Sequence, residues 1–167
     1  GGGVAREGEL EAGLEEVRRG LAAKQATGAR LKVPYYLGLM AGLLYGSGLR
    51  RIELLRLRIN DIDSSLLQVR VWNGKGFKHR LTTLAPELLP AIDRQTARAK
   101  AYFEEDVTNP DYAGVWLPDA LARKYRSAPK ELGWHYLFPS HKLSYDPDTK
   151  KLRRHHLRSP LYHALAH

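Results

Sequence analysis

The chain has 167 residues, 43% of them hydrophobic, with 27 Lys and Arg against 18 Asp and Glu for a formal net charge of +9. Such a length suggests one domain with a core of ordinary size, and the basic excess favours a polyanionic partner, nucleic acid or an anionic membrane surface. The absence of cysteine excludes disulfides, thiol nucleophiles and Cys-based zinc sites, and no apolar run nears the roughly 20 residues that span a bilayer. Gly1-Gly2-Gly3 carries neither an initiator Met nor a signal-peptide pattern. The sequence therefore reads as a soluble, intracellular protein that begins inside a longer reading frame.

Leu10, Leu14, Val17 and Leu21 recur at helical spacing and predict an amphipathic helix over residues 8–26, with Gly28 as a stop. Val33-Pro34 marks a new start, and Tyr36, Met40, Leu43 and Leu44 form an apolar stripe that Gly46-Ser47-Gly48 breaks. A second helix is expected from about Arg50 to Leu57, with Ile52, Leu54 and Leu55 inward. The period then changes to two. Leu67, Val69 and Val71 alternate with Gln68, Arg70 and Trp72 as in a half-buried strand. Asn73-Gly74-Lys75-Gly76 is a turn signature, and residues 80–84 return as the partner strand of a basic hairpin. Pro86 opens a longer helix to about Glu105. Residues 106–117 read as a loop, and a short helix follows near Leu117 to Tyr125. The segment 150–158 contains Lys150, Lys151, Arg153, Arg154, His155, His156 and Arg158 and no acid. This order predicts a mainly α fold with a small antiparallel β-hairpin or sheet, an α+β class.

Two stretches carry chemistry. In Gly46-Ser47-Gly48-Leu49-Arg50-Arg51-Ile52-Glu53 the glycines allow a tight turn into a helix, which places Arg50 at its N-terminus and Glu53 on the same face. An Arg beside free backbone N–H groups is a phosphate clamp; the competing reading is a surface Arg paired with Glu53. In Gly74-Lys75-Gly76-Phe77-Lys78-His79-Arg80 a Lys at a hairpin tip can donate a proton or contact a phosphate; the competing reading is a solvated turn Lys.

Together the two stretches resemble a tyrosine recombinase of the phage integrase family, with its Gly-x-Arg-x-x-Glu-type box followed about two dozen residues later by a Gly-Lys-Gly hairpin. The resemblance narrows to integron integrases through Tyr45–Arg50, Leu117–Tyr125 with Ala128-Pro129-Lys130, Phe138-Pro139-Ser140 and Arg153-Arg154-His155-His156-Leu157. It implies a partial tyrosine-recombinase catalytic domain over residues 33–157, with an integron-type insertion over about 106–140. Residues 1–32 are then a divergent helical extension and 158–167 a divergent tail.

The resemblance further implies that Arg50 contacts the scissile phosphate, that Lys75 is the general acid for the leaving 5′-oxygen, and that Glu53 orients without reacting. Trp72, Trp134, Pro147, His155 and His156 are implied to grip extrahelical bases, and Lys78, Arg80, Arg153 and Arg154 to face DNA. Trp134 reads equally well as a core residue. No metal and no other cofactor is expected, since adjacent histidines point apart and no third ligand is evident. The implied partner is DNA, as folded single-stranded or double-stranded recombination sites. The implied assembly is a tetramer on DNA in the bacterial cytoplasm, at the nucleoid, with no membrane.

The family places a His-x-x-Arg box and its nucleophilic Tyr downstream of the Arg-His-His segment. The chain is expected to lack both and to be inactive alone, with Tyr162 a poor substitute. It is then a DNA-binding piece of an integrase. The alternative is a noncatalytic nucleic-acid-binding or interaction module.

Overall fold

The apolar residues 39, 40 and 43 and the small Ser47 lie on the inner side of a helix that ends where two glycines flank a serine. A computed structural model describes residues 36–72 and 78–158, together with Arg19. The predicted helix 8–26 apart from Arg19, the Pro34 start, the turn with Lys75 and the tail with Tyr162 lie outside the described residues. Residues 38–158 form one compact unit.

Helix α1 spans Leu37–Ser47 and buries Leu39, Met40, Leu43 and Ser47. Gly48, at φ 63°, makes the turn into α2, Arg51–Leu55. Leu54 and Leu55 are buried, but Ile52 is 44% exposed, against the inward position expected for it. The reason is geometric. At about 100° per residue, Ile52 sits some 200° around the helix from Leu54, so both cannot face one core.

A three-stranded antiparallel sheet follows, in the order β1 (Ile62–Asp63), β2 (Gln68–Trp72), β3 (His79–Thr83). Its register pairs Val69 with Thr82 and Trp72 with His79. Val69 and Val71 are buried and Arg70 is exposed, as the alternation predicts. A 3₁₀ turn at Pro86–Leu88 leads into α3, Leu89–Asp106, which turns Ile92, Gln95 and Ala99 inward. Helix α4 is Asp119–Lys124, and a small ladder pairs β4 (Ser144–Tyr145) with β5 (Leu152–Arg153). The result is a helix-rich fold with small antiparallel sheets.

The later segment is laced into the earlier one by main-chain bonds. Leu137 N–H donates to Leu57 O at 2.9 Å and Ile59 N–H to His135 O at 3.0 Å. This pairing buries Leu57, Leu137 and Phe138, and Leu157 closes on Phe138 O at 3.0 Å. Every backbone group buried here needs such a partner.

His135 lies inside this core. Its Nδ1 faces Glu131 O at 2.7 Å and therefore carries the proton, so its Nε2 accepts from Tyr112 O–H at 2.9 Å. Burial holds the imidazole below the ordinary histidine range and pushes the Tyr112 phenol up. The folded state thus binds a proton at His135 less readily than the unfolded chain, whose ordinary value is 6.5. Stability from this group is complete above pH 6.5 and drains away as pH falls from there through the depressed folded value. Thermal melts from pH 8 downward should show this loss, and His135→Gln should flatten the profile below pH 6.5. Parallel profiles for the two proteins contradict the assignment.

Candidate nucleic-acid interface

The turn at Gly48 sets Arg50 just before α2, with extended backbone at φ −75° and ψ 153°. Its N–H points along the helix axis and is one of the unpaired donors of a helix start. Glu53, one turn on, folds back and accepts that N–H through Oε2 at 2.8 Å. The same oxygen accepts from Arg80 Nη2 at 2.9 Å. Arg80 also reaches Gly48 O at 3.4 Å, and Thr82 Oγ1 donates to Ser47 O at 2.7 Å. One carboxylate oxygen therefore joins the start of α2 to strand β3, directly after the hairpin turn.

Arg50 itself is exposed, and no acid pairs with its guanidinium among the described residues. Glu53 takes Arg80 instead, so the simple Arg50–Glu53 surface pair weighed from sequence does not form. Lys78 is exposed beside this face. Lys75 falls outside the described residues.

Trp72 ends β2 and is 38% exposed. Its Nε1–H donates to Asp61 Oδ1 at 2.9 Å, and its ring lies 5.4 Å from that of His79. Asp61 is buried, and desolvation holds its carboxyl above the usual range, opposed by the Arg58 amide and the indole.

On the later segment, Trp134 is half-buried, with its ring 5.8 Å from that of the exposed Tyr125, over which Lys124 Nζ sits at 5.2 Å. It is thus neither a core residue nor fully open. Pro147 is exposed at the tip of the β4–β5 turn. His155 and His156 are half-buried; the ring of His156 meets Tyr136 edge-on at 5.4 Å. Burial holds the His155 imidazole below its ordinary value.

Arg153 and Arg154 depart from the expected DNA-facing position. Arg154 is buried and grips Asp106 with two nitrogens, Nε at 2.8 Å and Nη2 at 2.5 Å. Arg153 Nη1 turns toward the carbonyls of Ala113, Gly114 and Val115, and its Nε lies 3.7 Å from Asp146. Both are drawn inward by these partners, so the run of cations at 150–158 overstates the positive surface. Residues His155-His156-Leu157-Arg158 themselves have the His-x-x-Arg spacing that the chain was expected to lack.

Sequence reasoning missed Arg58 and the exposed Trp116, which is 45% accessible. Trp116 had a usable signal, since it directly precedes the Leu117–Tyr125 segment. Arg58 had none. Among the described residues no group of three or more His, Asp or Glu is placed to hold a metal ion, and no helix is long and apolar enough to cross a membrane.

Comparison with known proteins decides the family. The phage integrase family profile matches residues 15–166. The chain belongs to the phage integrase family. These are tyrosine recombinases, and two of the relatives carry that name. An integrase/recombinase of Escherichia coli is 41% identical over 119 residues, covering 71% of this chain and 35% of that protein. Tyrosine recombinase XerA of Thermococcus onnurineus is 33% identical over 74% of this chain and 38% of its own length. Tyrosine recombinase XerC of Proteus mirabilis is 40% identical over 40% of this chain and 22% of its own length. The chain thus spans little more than a third of the length of the first two of these relatives. A crystal structure of XerA recombinase superposes with a TM-score of 0.36 at 25% identity, over 52% of this chain and 29% of that one.

Proposed function

We propose that this chain is the phosphate- and base-contacting part of a DNA site-specific recombinase of the integron integrase type. The observation that carries the reading is the shared Glu53 oxygen, which holds the backbone of Arg50 and the side chain of Arg80 together. It leaves the Arg50 guanidinium exposed beside the base of the hairpin that bears Lys75.

In this reading Arg50 contacts the scissile phosphate. A tyrosine from outside the described residues gives up its hydroxyl proton to solvent and attacks phosphorus through that oxygen, the P–O bond to the 5′-oxygen breaks, and negative charge grows on the nonbridging oxygens. A preorganised guanidinium lowers that barrier, and the Lys75 ammonium supplies the proton that the leaving oxygen takes. Glu53 fixes the geometry without touching DNA. Trp72, Trp134, Pro147, His155 and His156 meet bases that project from folded single-stranded sites, where stacking on an aromatic ring is worth about 1–3 kcal/mol per base. Lys78 faces the DNA backbone, while Arg153 and Arg154 are left to the fold. The integron-type assignment rests on the Leu117–Tyr125 and Arg153–Leu157 segments, and the assembly on DNA is a tetramer.

Arg50→Ala tests the phosphate contact. Fluorescence anisotropy over a salt series should show weaker binding to duplex and hairpin DNA alike, with the log K against log salt slope shallower by about 1. An unchanged slope removes Arg50 from the DNA face. A loss confined to hairpins would make it a reader of structure and not of phosphate.

A further inference from the structure

Arg58 sits between α2 and the sheet, in a stretch that gives it no local acidic partner except Asp61. Its guanidinium spans two distant segments. Nη1 donates to Trp134 O at 2.5 Å and Nη2 to Trp116 O at 2.7 Å. Its central carbon lies 4.6 Å over the Tyr136 ring. Its own amide donates to Asp61 Oδ2 at 2.9 Å, and the other oxygen of that carboxylate accepts the Trp72 indole N–H at 2.9 Å.

Arg58 therefore holds both tryptophans, Trp72 through its main-chain amide and the Asp61 carboxylate, and Trp134 through its guanidinium and the Trp134 carbonyl. The neighbouring contact is equally close. A Cβ on Gly133 would fall 2.3 Å from the Asn60 amide, so the turn carrying Trp134 rests against the turn carrying Asp61. Only a planar fork with several donors can serve two carbonyls and lie flat on a ring; an ammonium cannot do all three.

We propose that Arg58 is a positioning residue that fixes Trp72 and Trp134 at one separation and orientation, and so sets which spacing of unpaired bases in a folded DNA strand the protein accepts. The inference rests on the reading of these tryptophans as base contacts. Arg58 touches no DNA in it; its guanidinium acts through the carbonyl of Trp134, and Asp61, anchored on its main-chain amide, acts on Trp72. Trp116, exposed and held by the same guanidinium, moves with them.

Three probes bound to the full chain test this: a DNA hairpin with two bases projecting from its stem, the same hairpin with one, and a fully paired hairpin of equal length. Arg58→Lys keeps the charge and loses the fork. It should weaken binding to the two-base hairpin about tenfold and leave the paired hairpin within about twofold. Asp61→Asn, which opposes an amide N–H to that of Arg58 but still accepts from Trp72, should give the same pattern. It carries the test if Arg58→Lys lowers the melting temperature. Equal losses on all three probes, or none on any, overturn the inference. Trp72→Ala and Trp134→Ala separate the two levels. If neither affects the hairpins with projecting bases, the base-contact reading falls and Arg58 with it. If both do and the Arg58 and Asp61 variants do not, only the positioning role falls.

Discussion

Asp106→Ala should lower the unfolding free energy of the chain by about 3–5 kcal/mol, the usual cost of leaving one partner of a buried ion pair alone. Asp106 is 2% exposed, and both of its oxygens accept from the buried Arg154. The same guanidinium donates to Ser140 O at 3.0 Å and lies 4.6 Å over the Tyr102 ring. Among the described residues no other acid pairs with Arg154, so the substitution strands a positive charge among aromatic and main-chain groups. Equilibrium urea unfolding reads the effect. Arg154→Met added to Asp106→Ala should recover much of the loss, because an apolar pair of similar volume avoids the desolvation cost. A single-variant loss below about 1 kcal/mol would mean that the pair is wetter than its geometry implies.

Gly114→Ala should cost on the order of 3 kcal/mol, for two reasons that add. Gly114 has φ 87°, a left-handed conformation that side chains disfavour. A Cβ there would also lie 2.2 Å from Pro129 O, a main-chain atom that cannot rotate away. Val115 N–H donates to that carbonyl at 2.8 Å, so relief of the clash breaks a buried hydrogen bond. Gly38→Ala supplies the opposite sign. Gly38 is exposed in α1, a Cβ there would meet nothing within 4 Å, and alanine should stabilise by about 0.5–1 kcal/mol. Equal shifts in the urea midpoint for the two variants would contradict the local geometry.

What could be read from sequence was what local periodicity encodes. The alternation of Val69 and Val71 placed β2, and Pro86 with the apolar spacing after it placed α3, including its approximate end. Elements of two residues, such as β1, β4 and β5, have no period to detect. They exist because distant main-chain groups need partners. Ile52 was misplaced because three apolar residues in a five-residue helix were assigned to one face. Arg50 and Glu53 were recognised as a unit, but the third member, Arg80, lies 27 residues on, and only the fold shows that it shares the carboxylate. Charge was the least legible property. Arg153 and Arg154 looked like surface cations because the acid that holds Arg154 stands 48 residues earlier. Arg58 is the extreme case, with carbonyl partners 58 and 76 residues away.

The pairing of residues 57–59 with 135–137 bears on how such a chain tolerates change. The stretch between them is no appendage that can be trimmed or exchanged at will, since both of its ends are stitched into the interior. A homologue's segment grafted across positions 107–134 must bring carbonyls that match the existing arginine at 58, or bring its own substitute for that arginine. An insertion is expected to cost least in the exposed stretch around Arg123–Ser127, where no main-chain bond crosses to the first half of the molecule among the described residues.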